Sequence, residues 1–110
     1  MRRESRRLFV AHKVVFSPEA RTDLRNLYLF IAERAGDARA VTYVEQVADY
    51  CRGFSTFPDR GTRRDDVTPG LRLIGFKRRV AIAFHVDQTR VVIDRIFYGG
   101  RDIPAQFDEA

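Results

Sequence analysis

Two apolar stripes at helical spacing, separated by a glycine and followed by alternating apolar and polar residues, constrain this chain more than any other feature. Ala20, Leu24, Leu27 and Ile31 recur at steps of four, three and four, which is one face of a helix. Ser17 can cap that helix, and Pro18 fits the first helical position, where no amide donor is needed. Glu19 and Asp23 in the early turns suit the helix dipole, and Gly36 stops the helix. Asp37 can then cap a second helix, whose stripe Ala40, Val44, Val47, Cys51 and Phe54 recurs at four, three, four and three. So short a connection predicts an antiparallel helical hairpin.

The flanking segments read as strands. Val14, Val15 and Phe16 make Lys13 to Ser17 a short strand covered on both faces. After the turn Phe57-Pro58-Asp59-Arg60-Gly61, residues Thr62 to Thr68 are polar and predict a solvated loop. Pro69-Gly70 opens a strand from Leu71 to Gly75, and Phe76-Lys77-Arg78 reads as a hairpin turn. In Arg79 to Val86, Val80, Ile82, Phe84 and Val86 alternate with Arg79, Ala81, Ala83 and His85. Asp87-Gln88-Thr89 turns the chain into Arg90 to Tyr98. Alternation there places Val91, Ile93 and Phe97 on one side and Val92 and Ile96 on the other, which predicts a central strand. The expected class is α+β: an N-terminal strand, a two-helix antiparallel hairpin, then a three-stranded antiparallel sheet, with the hairpin packed on a mainly antiparallel sheet that includes the N-terminal strand.

Composition bounds the function. At 110 residues and 45% hydrophobic content, one globular domain is expected rather than a disordered chain. Residues 1–12 read as a basic tail, 13–107 as the domain and 108–110 as its C-terminal end. The single cysteine, Cys51, excludes an internal disulfide and suits a reducing cytoplasm. It lies within the second helical stripe, as a core thiol would. His12, His85 and Cys51 have no metal-like spacing, so neither a metal nor a cofactor is expected. Ser5-Arg6-Arg7-Leu8-Phe9-Val10 imitates a twin-arginine signal, but the apolar run stops at Ala11, and no export or membrane span is expected.

The net charge of +5 is unevenly placed. Residues 1–13 carry a net of +4, residues 14–59 a net of −2, and the last nine residues a net of −3. Residues 60–101 hold ten bases against four acids, a net of +6, which points to a polyanionic or acidic partner. Of the 20 bases 18 are arginine, so a general compositional bias is the competing explanation.

Five motifs in sequence order resemble one family. Phe16-Ser17-Pro18-Glu19-Ala20, with Asp23-Leu24 behind it, is similar to the opening of the ParE-type toxins. Tyr28, Ile31 and Ala32 are similar to their first-helix motif, and Phe57-Pro58-x-x-Gly61 with Arg64 to their mid-chain turn. Pro69-Gly70-Leu71-Arg72 resembles their strand opening. Phe97-Tyr98-Gly99-Gly100-Arg101-Asp102 resembles their ending, where histidine often replaces Tyr98. The resemblance spans about residues 14–107 and implies the ParE/RelE superfamily.

That resemblance implies the toxin of a type II toxin–antitoxin module, made beside an antitoxin that lays an acidic amphipathic segment along it. ParE-type members poison DNA gyrase by binding, whereas RelE-type members cut messenger RNA on the ribosome. RNA cleavage needs a general base, a general acid and fixed cations. Arg72, Arg79 and Arg101 fall where RelE-like enzymes carry basic residues. The tyrosine or histidine of the RelE tail is replaced by Phe107, in an acidic ending, and His85 and Tyr98 are the remaining proton-transfer candidates. The expectation is therefore an inhibitory binder with no catalytic residue, directed at gyrase. Arg72, Arg79, His85, Tyr98, Arg101 and Phe107 would contact target or antitoxin. The RelE-like ribonuclease is the alternative; a co-repressor or degenerate module is a third class. No helix-turn-helix is evident, so DNA contact would come only through the antitoxin.

Overall fold

The computed structural model describes residues 11–99. Its elements are β1 (Lys13–Phe16), α1 (Pro18–Ala35), α2 (Asp37–Arg52), a 3-10 turn (Gly53–Ser55), β2 (Thr62–Arg63), β3 (Arg72–Phe76), β4 (Val80–Asp87) and β5 (Arg90–Tyr98). Both helices fall on the expected stripes. Ala20, Leu27, Ala40, Val47, Cys51 and Phe54 are buried, while Leu24, Ile31 and Val44 are partly buried against the core. Asp37 is the first residue of α2 rather than its cap; Gly36 takes the cap position without a side-chain bond.

The N-terminal strand joins the sheet as expected, but in place of three antiparallel strands beside it there are four, giving a five-stranded mixed sheet in the order β1-β5-β4-β3-β2. β1 runs parallel to β5, and the other pairings are antiparallel. The helical connection allows the parallel pairing, since two helices separate β1 from β5 in sequence. The second difference lies at Thr62 and Arg63. They pair with Leu73 and Arg72 as an edge strand instead of forming loop throughout. Their side chains are exposed, so no apolar alternation announces them.

A bulge corrects the third expectation. Ala83 pairs with Arg95 and Phe84 with Ile93, which leaves Asp94 unpaired on β5. The extra residue reverses the facing of everything after it. Val91, Ile93 and Ile96 therefore share the helix-side core with Val80, Ile82 and Phe84, and Tyr98 packs against it. Phe97 instead joins Leu71, Leu73, Ala81, Ala83 and Val67 on the opposite face.

Ser17 and Asp23 complete the bulged strand. Ser17 Oγ accepts the Ala20 amide at 2.9 Å, the N-cap bond, and donates to the Asp94 carbonyl at 2.9 Å. Its own amide donates to the Ile93 carbonyl. One turn later the Asp23 carboxylate accepts the Ile96 amide at 2.8 Å. The start of α1 thus takes over where β1 ends. No described helix is long and apolar enough to cross a membrane.

Candidate functional site

The residues expected to act together are divided between the two faces of the sheet. His85 follows Ala81 and Ala83 on β4 and lines an open groove of about 490 Å³ on the face away from the helices. Val67, Pro69, Leu71, Ala83 and Phe97 give this groove apolar walls, with Thr68, Asp94 and Arg95 completing it. His85 Nδ1 lies 2.7 Å from Asp94 Oδ2, both side chains being partly exposed. Alternation along β5 from Val92 places Asp94 there, ahead of the residues whose facing the bulge reverses. His85 pairs with Val92, and Asp94 is its diagonal neighbour two residues on. Sequence reading missed Asp94; the available signal was the tight Asp87–Arg90 turn, which fixes the register of the two strands.

Tyr98 belongs to the other face. Its ring meets Phe30 edge-on at 5.4 Å and Tyr43 at 6.0 Å, and the Arg79 guanidinium stands 6.0 Å from its centroid. Burial, reinforced by Tyr98 and opposed by Arg79, raises the Tyr43 phenol above its ordinary pKa. Arg79 and Tyr98 are thus brought together, and the Gly99 amide also donates to the Arg79 carbonyl. Tyr98 pairs with Val80, five positions along β4 from His85, a separation of roughly 16 Å as well as of face.

Arg72 sits elsewhere again. It donates to the Arg60 carbonyl at 3.1 Å and lies 3.6 Å from Asp59, so it anchors the Phe57–Gly61 turn to the sheet. Gly61 explains why that turn ends in glycine. Its φ is +74°, and an added Cβ would stand 2.4 Å from the Leu73 carbonyl oxygen. Arg101 and Phe107 lie outside the described residues.

Chemically, the His85–Asp94 pair has the arrangement of an imidazole oriented by a carboxylate. The cation nearest to it in the groove, Arg95, is committed to Asp23 through bonds of 2.8 and 3.0 Å. Cys51 is fully buried, and burial pushes its thiol up to about 12, so it is not a nucleophile. Among the described residues no cluster of His, Cys, Asp and Glu could hold a metal ion.

The family model described as ParE toxin of type II toxin–antitoxin system, parDE, matches residues 14–103. The chain belongs to this family. Solved structures agree on the fold. The chromosomal ParDE toxin–antitoxin system from P. aeruginosa includes a similar chain with a TM-score of 0.71 at 20% identity, covering 80% of this chain and 96% of that one. A chain of the RelBE2 toxin–antitoxin complex from Mycobacterium tuberculosis gives 0.58 at 22% identity, covering 81% and 99%. A conserved hypothetical protein from Helicobacter pylori gives 0.51 at 13% identity, covering 82% and 97%. No curated protein sequence matches significantly. The fold is thus shared by chains from a ParDE and a RelBE system.

Proposed function

We propose that this ParE-family toxin inhibits DNA gyrase by binding it in the cytoplasm, performs no chemistry itself, and is neutralised by a cognate antitoxin. The observation that carries the reading is the separation of His85 from Tyr98. A general acid and base acting on one phosphate must both come within hydrogen-bond reach of it, and these two side chains occupy opposite faces. Arg72, one of the three cations expected at RelE-like positions, is engaged by the Phe57–Gly61 turn. Arg79 and Tyr98, with Arg101 and Phe107 beyond them in sequence, then serve as contact residues for target or antitoxin.

The antitoxin partner is motivated by the matched ParDE and RelBE systems. The groove around His85 suits the apolar side of its amphipathic segment, because Val67, Pro69, Leu71 and Phe97 offer apolar anchor positions. Charge complementarity would steer the acidic side.

The RelE-like ribonuclease keeps one observation in its favour, the carboxylate-oriented imidazole of His85. Expression in bacteria separates the readings. Gyrase poisoning predicts filamentation, broken chromosomes and gyrase trapped on cut DNA, with transcripts intact. Ribosome-dependent transcript cleavage that disappears in His85→Ala would overturn the gyrase reading.

A further inference from the structure

The basic excess of the C-terminal half resolves, in three dimensions, onto one hairpin. Of its ten bases, Arg63 pairs with Asp65, Arg64 with Asp66, Arg72 with Asp59, Arg90 with Asp87 and Arg95 with Asp23. Arg60 also has no carboxylate partner, but it stands apart from the others, bonded to the Phe57 carbonyl and near the Tyr50, Phe54 and Phe57 rings. Arg101 is outside the described residues. The remaining three, Lys77, Arg78 and Arg79, are consecutive and exposed, and no described carboxylate lies within ion-pair distance of them. They form the loop between β3 and β4, since Phe76 pairs with Val80.

The backbone of this tip is a second, independent observation. Lys77 has φ 54° and Arg78 φ 66°. Two successive positive values are the φ pattern of a type I′ turn, for which Asn-Gly is the favoured pair. Gln88 shows that a single such residue can close a turn in this fold. At the β3–β4 tip both strained positions hold cations, next to a third, where neutral residues would fold more easily. Strain maintained at a particular site is a reason to look for function there.

The surroundings extend the patch. Lys77 Nζ donates to Gln46 Oε1 at 2.7 Å, and Gln46 shares a surface depression with Tyr43 and Arg39. None of the large exposed apolar side chains, Leu29, Val41, Phe57 and Val86, belongs to the tip itself. A peptide segment takes most of its affinity from apolar anchors, whereas a phosphate backbone is bound through charge and counterion release. The exposed charge of Lys77, Arg78 and Arg79 suits the second.

We infer that the Lys77–Arg79 tip binds the phosphate backbone of duplex DNA directly, without reading sequence. This goes beyond DNA contact through an antitoxin, and it does not depend on gyrase being the target.

The test uses the full chain and its Lys77→Asn/Arg78→Gly variant, which supplies the residues that a type I′ turn prefers. Binding to a labelled 20-base-pair DNA is followed by anisotropy across a salt series. Removing two phosphate contacts should weaken binding about fifty-fold at 0.1 M salt and lower the log–log salt slope by about 2. The arginines of the N-terminal tail are present in both proteins, so the difference reads the tip alone. Circular dichroism and a denaturation curve establish that the variant is folded. Equal affinity and slope for the two proteins would overturn the inference. So would tighter binding to a poly-glutamate peptide, or to a duplex RNA of the same length, than to the DNA.

Discussion

Asp23 Oδ2 accepts the backbone amide of Ile96 at 2.8 Å, joining the second turn of α1 to the part of β5 that β1 does not reach. The same carboxylate takes both bonds from Arg95 and is itself largely buried. Asp23→Ala leaves the Ile96 amide without its acceptor and should destabilise the fold by about 2–3 kcal/mol, as expected for a hydrogen bond to a charged group. Asp23→Asn keeps one acceptor oxygen and should fall between. Urea unfolding measures both, and an alanine variant as stable as the parent would show that the contact contributes nothing.

Gly61 should tolerate no side chain. With φ +74° and a Cβ position 2.4 Å from the Leu73 carbonyl, alanine there must displace either the turn or β3. Gly61→Ala is expected to lose at least about 2 kcal/mol, combining left-handed strain with the clash. A thermal midpoint within a degree of the parent would contradict this.

Relieving the left-handed strain at the β3–β4 tip should stabilise the chain. Lys77→Asn/Arg78→Gly is expected to raise unfolding stability by about 1 kcal/mol, because both residues now sit at positive φ. It also removes two adjacent like charges. A denaturation midpoint that falls would mean that Lys77 or Arg78 contributes contacts outweighing the strain.

Cys51 should be inert in the native protein. Its thiol is inaccessible and held up at about 12, so thiolate is scarce at pH 8 as well as shielded. Iodoacetamide should leave the folded chain unmodified and alkylate it promptly in urea. Native-state labelling at the rate of a free thiol would place Cys51 outside the core.

What the sequence determined by itself is what depends on neighbours in the chain. Residues three and four apart decide a helical face, so the stripes of α1 and α2 were legible down to Cys51 and Phe54. The Ser17 cap and Pro18 were legible for the same reason, and alternation located β4 and β5 to within a residue. The tail beyond Gly99 was legible only as composition and resemblance.

Tertiary structure decided whatever depends on register. Nothing local in Arg90–Tyr98 announces that Asp94 is skipped by its partner strand, yet that bulge exchanges the faces of Ile96 and Phe97. Thr62 and Arg63 become a strand only because β3 offers them a free edge. Charge follows the same logic. Arg95 meets Asp23 across 72 residues, so a net of +6 read along residues 60–101 could not say which cations remain uncompensated. Electrostatic pairing acts over a few ångströms in space whatever the distance along the chain, and only the fold showed that, among the described residues of this segment, the cations without a carboxylate partner are Arg60 and the consecutive Lys77, Arg78 and Arg79.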